Sequence, residues 1–267
     1  MSPLPTLIYT HGGWHGPEYW NPVISILTGR GFRSIAPHLL FGGTDEPITS
    51  LVPVIEQVKE IVADETNKGN DVVIINHSFG SFAGCSAIRG FTATDSSHLS
   101  GLNSGKVLGV LTVAGFFPET ELSFNDMVAA LQSPSAATDP GAVAQLPFSP
   151  TEEGWLEFTG DAIQAFYNDL PHDEAQKWAT NLEKFSRFVF GTCEKVYAGW
   201  KDVPVWYLLC KADAMMTLPQ QGAHVKKARD GGANVTTREI DAGHSPMLSK
   251  PDEVAQFIQD AVASFVK

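Results

Sequence analysis

The chain has 267 residues, 43% of them hydrophobic and 18% charged, enough to bury a sizeable core in one large α/β domain or two small ones. Its formal net charge is −12, with acidic residues spread along the chain and no basic cluster. Nucleic acid and anionic membrane are therefore not expected as partners, because either needs a positive face. No positive segment or long apolar run precedes the first predicted strand, and nowhere do about eighteen apolar residues run together, so neither a secretory signal nor a membrane span is expected and a cytoplasmic location is. Cys85, Cys193 and Cys210 are odd in number and lack C-x-x-C spacing, which reads as free, mostly buried thiols in a reducing compartment.

Taken in order, Thr6 to Thr10 (TLIYT) reads as a short buried strand that runs into His11-Gly12-Gly13-Trp14-His15-Gly16. Two adjacent glycines after a strand let backbone N–H groups turn toward a ligand. A helix follows over Pro17 to Thr28, then a strand over Ser34 to Ala36, a loop, and a helix over Ile48 to Asn67 with one apolar stripe. Val72 to Ile75 is an unbroken apolar run, as in a strand buried on both faces, and a small-residue segment able to start a helix comes directly after it. The next strand spans Lys106 to Ala114. Pro118 to Trp200 breaks the alternation and reads as several helices, including Asp161 to Leu170 and Asp173 to Phe185, with aromatic residues concentrated in its second half. Alternation resumes with the strand Val203 to Cys210, the helix Leu218 to Asp230, the strand Val235 to Ile240 and a last helix from about Pro251. Strands separated by helices imply a mostly parallel sheet covered on both faces, which binds ligands beyond the carboxyl ends of its strands.

That rule gathers the chemically capable residues. Gly13 lies after the first strand, Ser78 after the third, Asp213 after the Val203–Cys210 strand and His244 after the last. Asn76-His77-Ser78-Phe79-Gly80 has the form of a nucleophile elbow, G-x-S-x-G, with Asn in place of the first glycine. A serine hydroxyl is a weak nucleophile at neutral pH, so it needs a base to take its proton and a carboxylate to fix the tautomer of that base. His244 suits the base and Asp213 the carboxylate; Glu119, just beyond the Lys106–Ala114 strand, is the rival acid. His11 is expected to support the glycine turn and His77 to point away beside the nucleophile. No histidine has metal-ligand spacing, so no metal is expected.

The whole chain, from about Leu4 to Val266, resembles the α/β-hydrolase superfamily. The resemblance is to the branch of small serine esterases that includes plant methylesterases, hydroxynitrile lyases and many microbial hydrolases. It is carried by His11 to Gly16 with Trp20, His77-Ser78-Phe79-Gly80, Ala114-Gly115-Phe116-Phe117-Pro118, and Gly243 to Pro251. The chain order serine, aspartate, histidine is the one this superfamily uses. The resemblance implies an α/β-hydrolase core over residues 1–117 and 201–267 with a helical cap insertion over 118–200. It also implies an oxyanion hole from the backbone N–H groups of Gly13 and Phe79, and an acyl-enzyme on Ser78. The expected substrate is a hydrophobic carboxylic ester, lactone or thioester, with no cofactor. A lyase using the same residues as an acid/base set is the alternative. Hydroxynitrile lyases of the branch carry a lysine directly after the histidine and a hydroxyl residue in place of the first motif's glycine; here those positions are Ser245 and Gly12. Asn76 and Ser81 depart from the small glycines usual around the elbow.

Overall fold

A computed structural model describes residues 3–99, 101, 103–131 and 147–266. The main sheet is built from β1 (Thr6–Thr10), β2 (Ser34–Ile35), β3 (Val72–His77) and β4 (Val107–Val113), and then, after the short strands β5 (Phe148–Pro150) and β6 (Leu156–Phe158), from β7 (Val205–Cys210) and β8 (Val235–Ile240). Its six strands run in the order β2-β1-β3-β4-β7-β8, and every neighbouring pair is parallel. All residues of β1 and β3 are buried, which is why these segments are apolar without alternation. The edge strand β8 alternates less cleanly and carries Arg238, whose guanidinium pairs with Asp260 of the last helix at 2.7 Å.

The chain moves from β1 outward to β2 and then back across β1 to β3. Right-handed crossovers in opposite directions put α1 (Asn21–Gly29) and α2 (Val52–Asn67) on opposite faces. The last helix (Pro251–Phe265) packs beside α1, and α3 (Gly80–Ala87) packs beside α2. Direction reverses between β1 and β3, so the loops leaving their carboxyl ends turn to opposite sides, the position at which open α/β sheets bind ligands. At the opposite end of the same strands, the Glu65 side chain is 1% exposed and accepts hydrogen bonds from Thr6 Oγ1, Arg33 Nε, Lys68 Nζ and Asn70 Nδ2 at 2.9–3.0 Å. Burial raises its carboxyl, but these bonds outweigh that effect and hold it down at about 2.

Several predicted bounds move. The Pro17–Thr28 helix is a 3-10 turn, Pro17–Trp20, followed by α1, and α2 begins at Val52 rather than Ile48 because Pro53 fits only its first turn. The helix α7 (Leu218–Asp230) has its predicted ends; Gln220 Oε1 accepts the Thr217 N–H at its start at 2.8 Å.

The excursion between β4 and β7 is not purely helical. It holds α4 (Phe124–Leu131), α5 (Ala162–Phe166) and α6 (His172–Thr180), but β5 and β6 form an antiparallel hairpin with Phe148 opposite Phe158. Strands of three residues are too short to show alternation in sequence. Asp161, expected as the first residue of a helix to Leu170, instead caps α5 from outside, its Oδ1 accepting from Gln164 N at 3.0 Å, and that helix stops four residues short of Leu170. Residues 132–146 of this excursion lie outside the described residues. Cys85 and Cys210 are buried, whereas Cys193 is exposed; all three are free. Among the described residues, no helix is long and apolar enough to cross a membrane.

Candidate active site

Ser78 sits between β3 and α3 with φ +48°, in the left-handed region that a non-glycine residue enters at a cost of order 1–3 kcal/mol. Its surroundings hold it there. Gly80, which follows, lies so close to β1 that a Cβ would come within 2.4 Å of the His11 carbonyl oxygen. The two departures from the usual elbow also find room. Asn76 is buried, with Oδ1 accepting from Thr10 Oγ1 at 2.8 Å, and it occupies the space left by Gly84, where a Cβ would fall 1.8 Å from that oxygen. Ser81 donates to the Ser78 carbonyl at 2.7 Å and accepts from the Phe116 N–H at 3.1 Å, which ties the elbow to the turn after β4.

His244 and Asp213 meet: His244 Nδ1 donates to Asp213 Oδ2 at 2.8 Å, with both side chains at most 3% exposed. The carboxylate is held from behind, since Oδ1 accepts from the N–H groups of Met215 and Met216 at 2.8 Å each and Oδ2 also receives Gln221 Nε2 at 3.4 Å. Gln221 is a buried side chain of α7 that also bonds Cys210 N, Cys210 O and Met216 O at 2.7–2.9 Å. It shapes the acid-bearing loop, and nothing in its sequence surroundings marks it out. The rival acid Glu119 is elsewhere, paired with Lys201 Nζ at 2.9 Å.

The elbow and the histidine loop are joined through His77, whose Nε2–H donates to the His244 carbonyl at 2.9 Å. His77 thus turns toward its neighbouring loop rather than simply away. Burial, reinforced by the neighbouring His244 and His15, keeps its imidazole well below the usual histidine range. Burial likewise lowers His11 and His15 to about 3, so both are neutral. His11 accepts the Leu39 N–H on Nε2, which leaves Nδ1–H to donate to the Gly12 carbonyl at 3.0 Å, the supporting role expected of it. His15 Nδ1–H donates to the Gly13 carbonyl at 2.7 Å and its Nε2 accepts from Tyr167 at 2.6 Å. With their carbonyls engaged from behind, Gly12 and Gly13 form a fixed turn. Among the described residues, the N–H groups of Gly13 and Phe79 have no acceptor within the protein.

Above this turn the lining is aromatic. A Cβ on Gly13 would come within 3.1 Å of the Phe185 ring, which packs in turn on Trp14, Phe41, Phe79 and Phe190 with ring centroids 5.0–5.3 Å apart.

A parallel sheet with a strained serine after β3 and a buried histidine–carboxylate pair beyond β7 and β8 points to one family, and the sequence profile described as "Alpha/beta hydrolase family" matches residues 7–257. The chain belongs to the alpha/beta hydrolase family. Two fungal relatives of this hydrolase align along nearly its whole length. The alpha/beta hydrolase nvfD of Aspergillus novofumigatus (strain IBT 16806) is 19% identical over 98% of this chain and 98% of its own. The probable hydrolase R7 of Phoma sp. (strain ATCC 20986 / MF5453) is 24% identical over 96% and 97%. Among solved structures, polyneuridine aldehyde esterase superposes with a TM-score of 0.73 at 18% identity, covering 97% of this chain and 99% of the other, which shows a common fold.

Proposed function

We propose that this hydrolase is a serine esterase that cleaves neutral, hydrophobic carboxylic esters, lactones or thioesters through an acyl-enzyme on Ser78. One observation carries the reading: the strained Ser78 turn is linked through His77 to a buried His244–Asp213 pair whose tautomer is fixed. With Nδ1–H held by Asp213, His244 has the lone pair of Nε2 for the serine proton. Ser78 Oγ then attacks the carbonyl carbon. The resulting oxyanion is met by the unpaired N–H groups of Gly13 and Phe79, one such donor being worth about 10²–10³ in rate. His244 Nε2–H next protonates the departing alkoxide or thiolate, and a water activated by the same nitrogen returns the carboxylic acid and free Ser78. The scheme uses no cofactor. In it, residues 118–200 act as the cap over a core of residues 1–117 and 201–267, and their aromatic side chains line the substrate's apolar part.

Two features favour hydrolysis over cyanohydrin cleavage. A Cβ on Gly12 would lie 2.9 Å from His77 Nδ1 and 3.1 Å from Ser78 Cβ, so no hydroxyl-bearing side chain fits there without displacing the elbow. Ser245, next to His244, brings no cation, and its hydroxyl is engaged with Tyr19 and the Phe166 carbonyl. The test is a panel of neutral and charged esters and lactones with rapid-quench intact-mass detection. An acyl adduct on Ser78, absent from Ser78→Ala together with turnover, is the expected result. Full-rate product formation that persists in Ser78→Ala with no adduct would instead assign acid/base lyase chemistry to His244.

A further inference from the structure

The turn that leaves α5, Phe166 to Asp169, touches the loops of the site through each of its four residues. The Phe166 carbonyl accepts from Ser245 Oγ, directly after His244. Tyr167 donates its hydroxyl to His15 Nε2, whose other nitrogen holds the Gly13 carbonyl. Asn168 Nδ2 donates to the Ala212 carbonyl at 2.8 Å, directly before Asp213. Asp169 Oδ2 accepts from the Gly243 N–H at 2.8 Å, directly before His244, and from Ser249 Oγ at 2.6 Å. The fit leaves no slack at Gly243, where a Cβ would fall 2.1 Å from Asn168 Oδ1 and 2.8 Å from Asp169 Oδ1. Asp169 Oδ1 is buried with no hydrogen-bond partner among the described residues, a cost borne in return for the contacts of Oδ2.

We infer that Phe166–Asp169 is the positioning element of the site, with Asn168 and Asp169 setting the separation of the loops that carry Asp213 and His244. The inference rests on the esterase reading above. The physical reason is that Asp213 and His244 stand on loops from different strands, so their 2.8 Å contact depends on where each loop rests. Asn168 and Asp169 are adjacent, and one grips each loop beside its catalytic candidate, so the pair braces from the side two loops that also meet directly, the Ala212 N–H donating to the Ala242 carbonyl at 3.0 Å. Neither residue contacts the reacting atoms; both act through the backbone of Ala212 and Gly243.

The test compares Asn168→Ala, Asp169→Ala and Asp169→Asn with the parent enzyme and with Ser78→Ala, using the best ester of the panel. Because a displacement of about 1 Å at a catalytic group costs on the order of 10² in rate, Asp169→Ala should lose about that much in kcat while KM stays near the parental value. The rate of Ser78 labelling by a fluorophosphonate probe should fall in parallel. Asn168→Ala should show a smaller loss of the same kind. Asp169→Asn keeps an acceptor for Gly243 and Ser249 and should recover most of kcat, which a general loss of folded enzyme would not produce; thermal melting of each variant reports that separately. Parental kcat in both alanine variants, or equal damage from Asp169→Asn and Asp169→Ala, would overturn the positioning role. Activity surviving in Ser78→Ala would instead remove the esterase reading and leave these contacts structural.

Discussion

Asp213→Asn separates the orienting role proposed for this carboxylate from its structural one, and the structure dictates how the amide must sit. Its oxygen has to take the place of Oδ1, where two backbone N–H groups, those of Met215 and Met216, arrive at 2.8 Å. The reverse orientation would set an NH₂ against both, leaving two buried donors unpaired at about 1–3 kcal/mol each. The amide nitrogen therefore faces His244 Nδ1, which must become an acceptor, and the ring proton moves to Nε2. A ring protonated on Nε2 cannot take the Ser78 proton. The same tautomer inversion in serine proteases lowers kcat about 10⁴-fold, or about 5 kcal/mol of transition-state stabilisation, and a loss of that order is expected here. Both backbone contacts survive, so the melting temperature should change little. Steady-state kinetics on the preferred ester, with Glu119→Gln alongside, provides the assay. Glu119 pairs with Lys201, and its variant should behave as the parent. A kcat for Asp213→Asn within about tenfold of the parent, or a larger loss in Glu119→Gln, would refute the argument, since a tenfold change is only about 1.4 kcal/mol.

Replacing Ser78 by glycine should abolish turnover and raise stability, because relief of its φ of +48° returns part of the 1–3 kcal/mol such a conformation costs; a drop in urea midpoint would contradict the strain assignment. Gly12→Thr should inactivate the enzyme toward esters without creating cyanohydrin cleavage, since its Cβ would displace His77 and Ser78; retained esterase kcat would count against the crowding seen there. Glu65, held at about 2 in the folded chain against an ordinary 4.5, contributes stability that is complete above about pH 5 and lost as pH falls toward 2. Its full value is at most about 3 kcal/mol, reduced by the solvent exposure of Arg33 and Lys68. The stability gap between the parent and Glu65→Gln in urea titrations should therefore close on acidification; a gap that stays constant down to pH 3 would exclude this linkage.

The parts legible in sequence are those fixed by local pattern. β1, α7 and β8 have their predicted ends because an apolar run, a Thr–Gln capping pair or a β-branched cluster sets each boundary without outside help. Ser78, Asp213 and His244 stood out because each follows a strand, and a parallel sheet gathers such positions at one edge. The β5–β6 hairpin did not, for its two three-residue strands exist only through their mutual pairing and carry a proline. Gln221, Asn168 and Asp169 were equally silent. Their importance lies in which backbone groups they reach: those held by Asn168 and Asp169 come from loops 44 and 74 residues away, and Gln221 bonds a nearby loop whose path no local pattern sets.

The fit between Asn76 and Gly84 has a consequence for how this sequence can change. Alanine at 84 would place a carbon 1.8 Å from the Asn76 oxygen, so on the present background that step is closed. Glycine at 76 removes that obstacle, and only then can position 84 accept a small side chain, for which the Ile74 Cγ2 methyl, 2.9 Å from the same carbon, must still give way. The two sites thus form a ratchet in sequence space: a lineage that acquires Asn76 must already hold a glycine one helical turn into α3, and it forfeits alternatives there for as long as the asparagine stays.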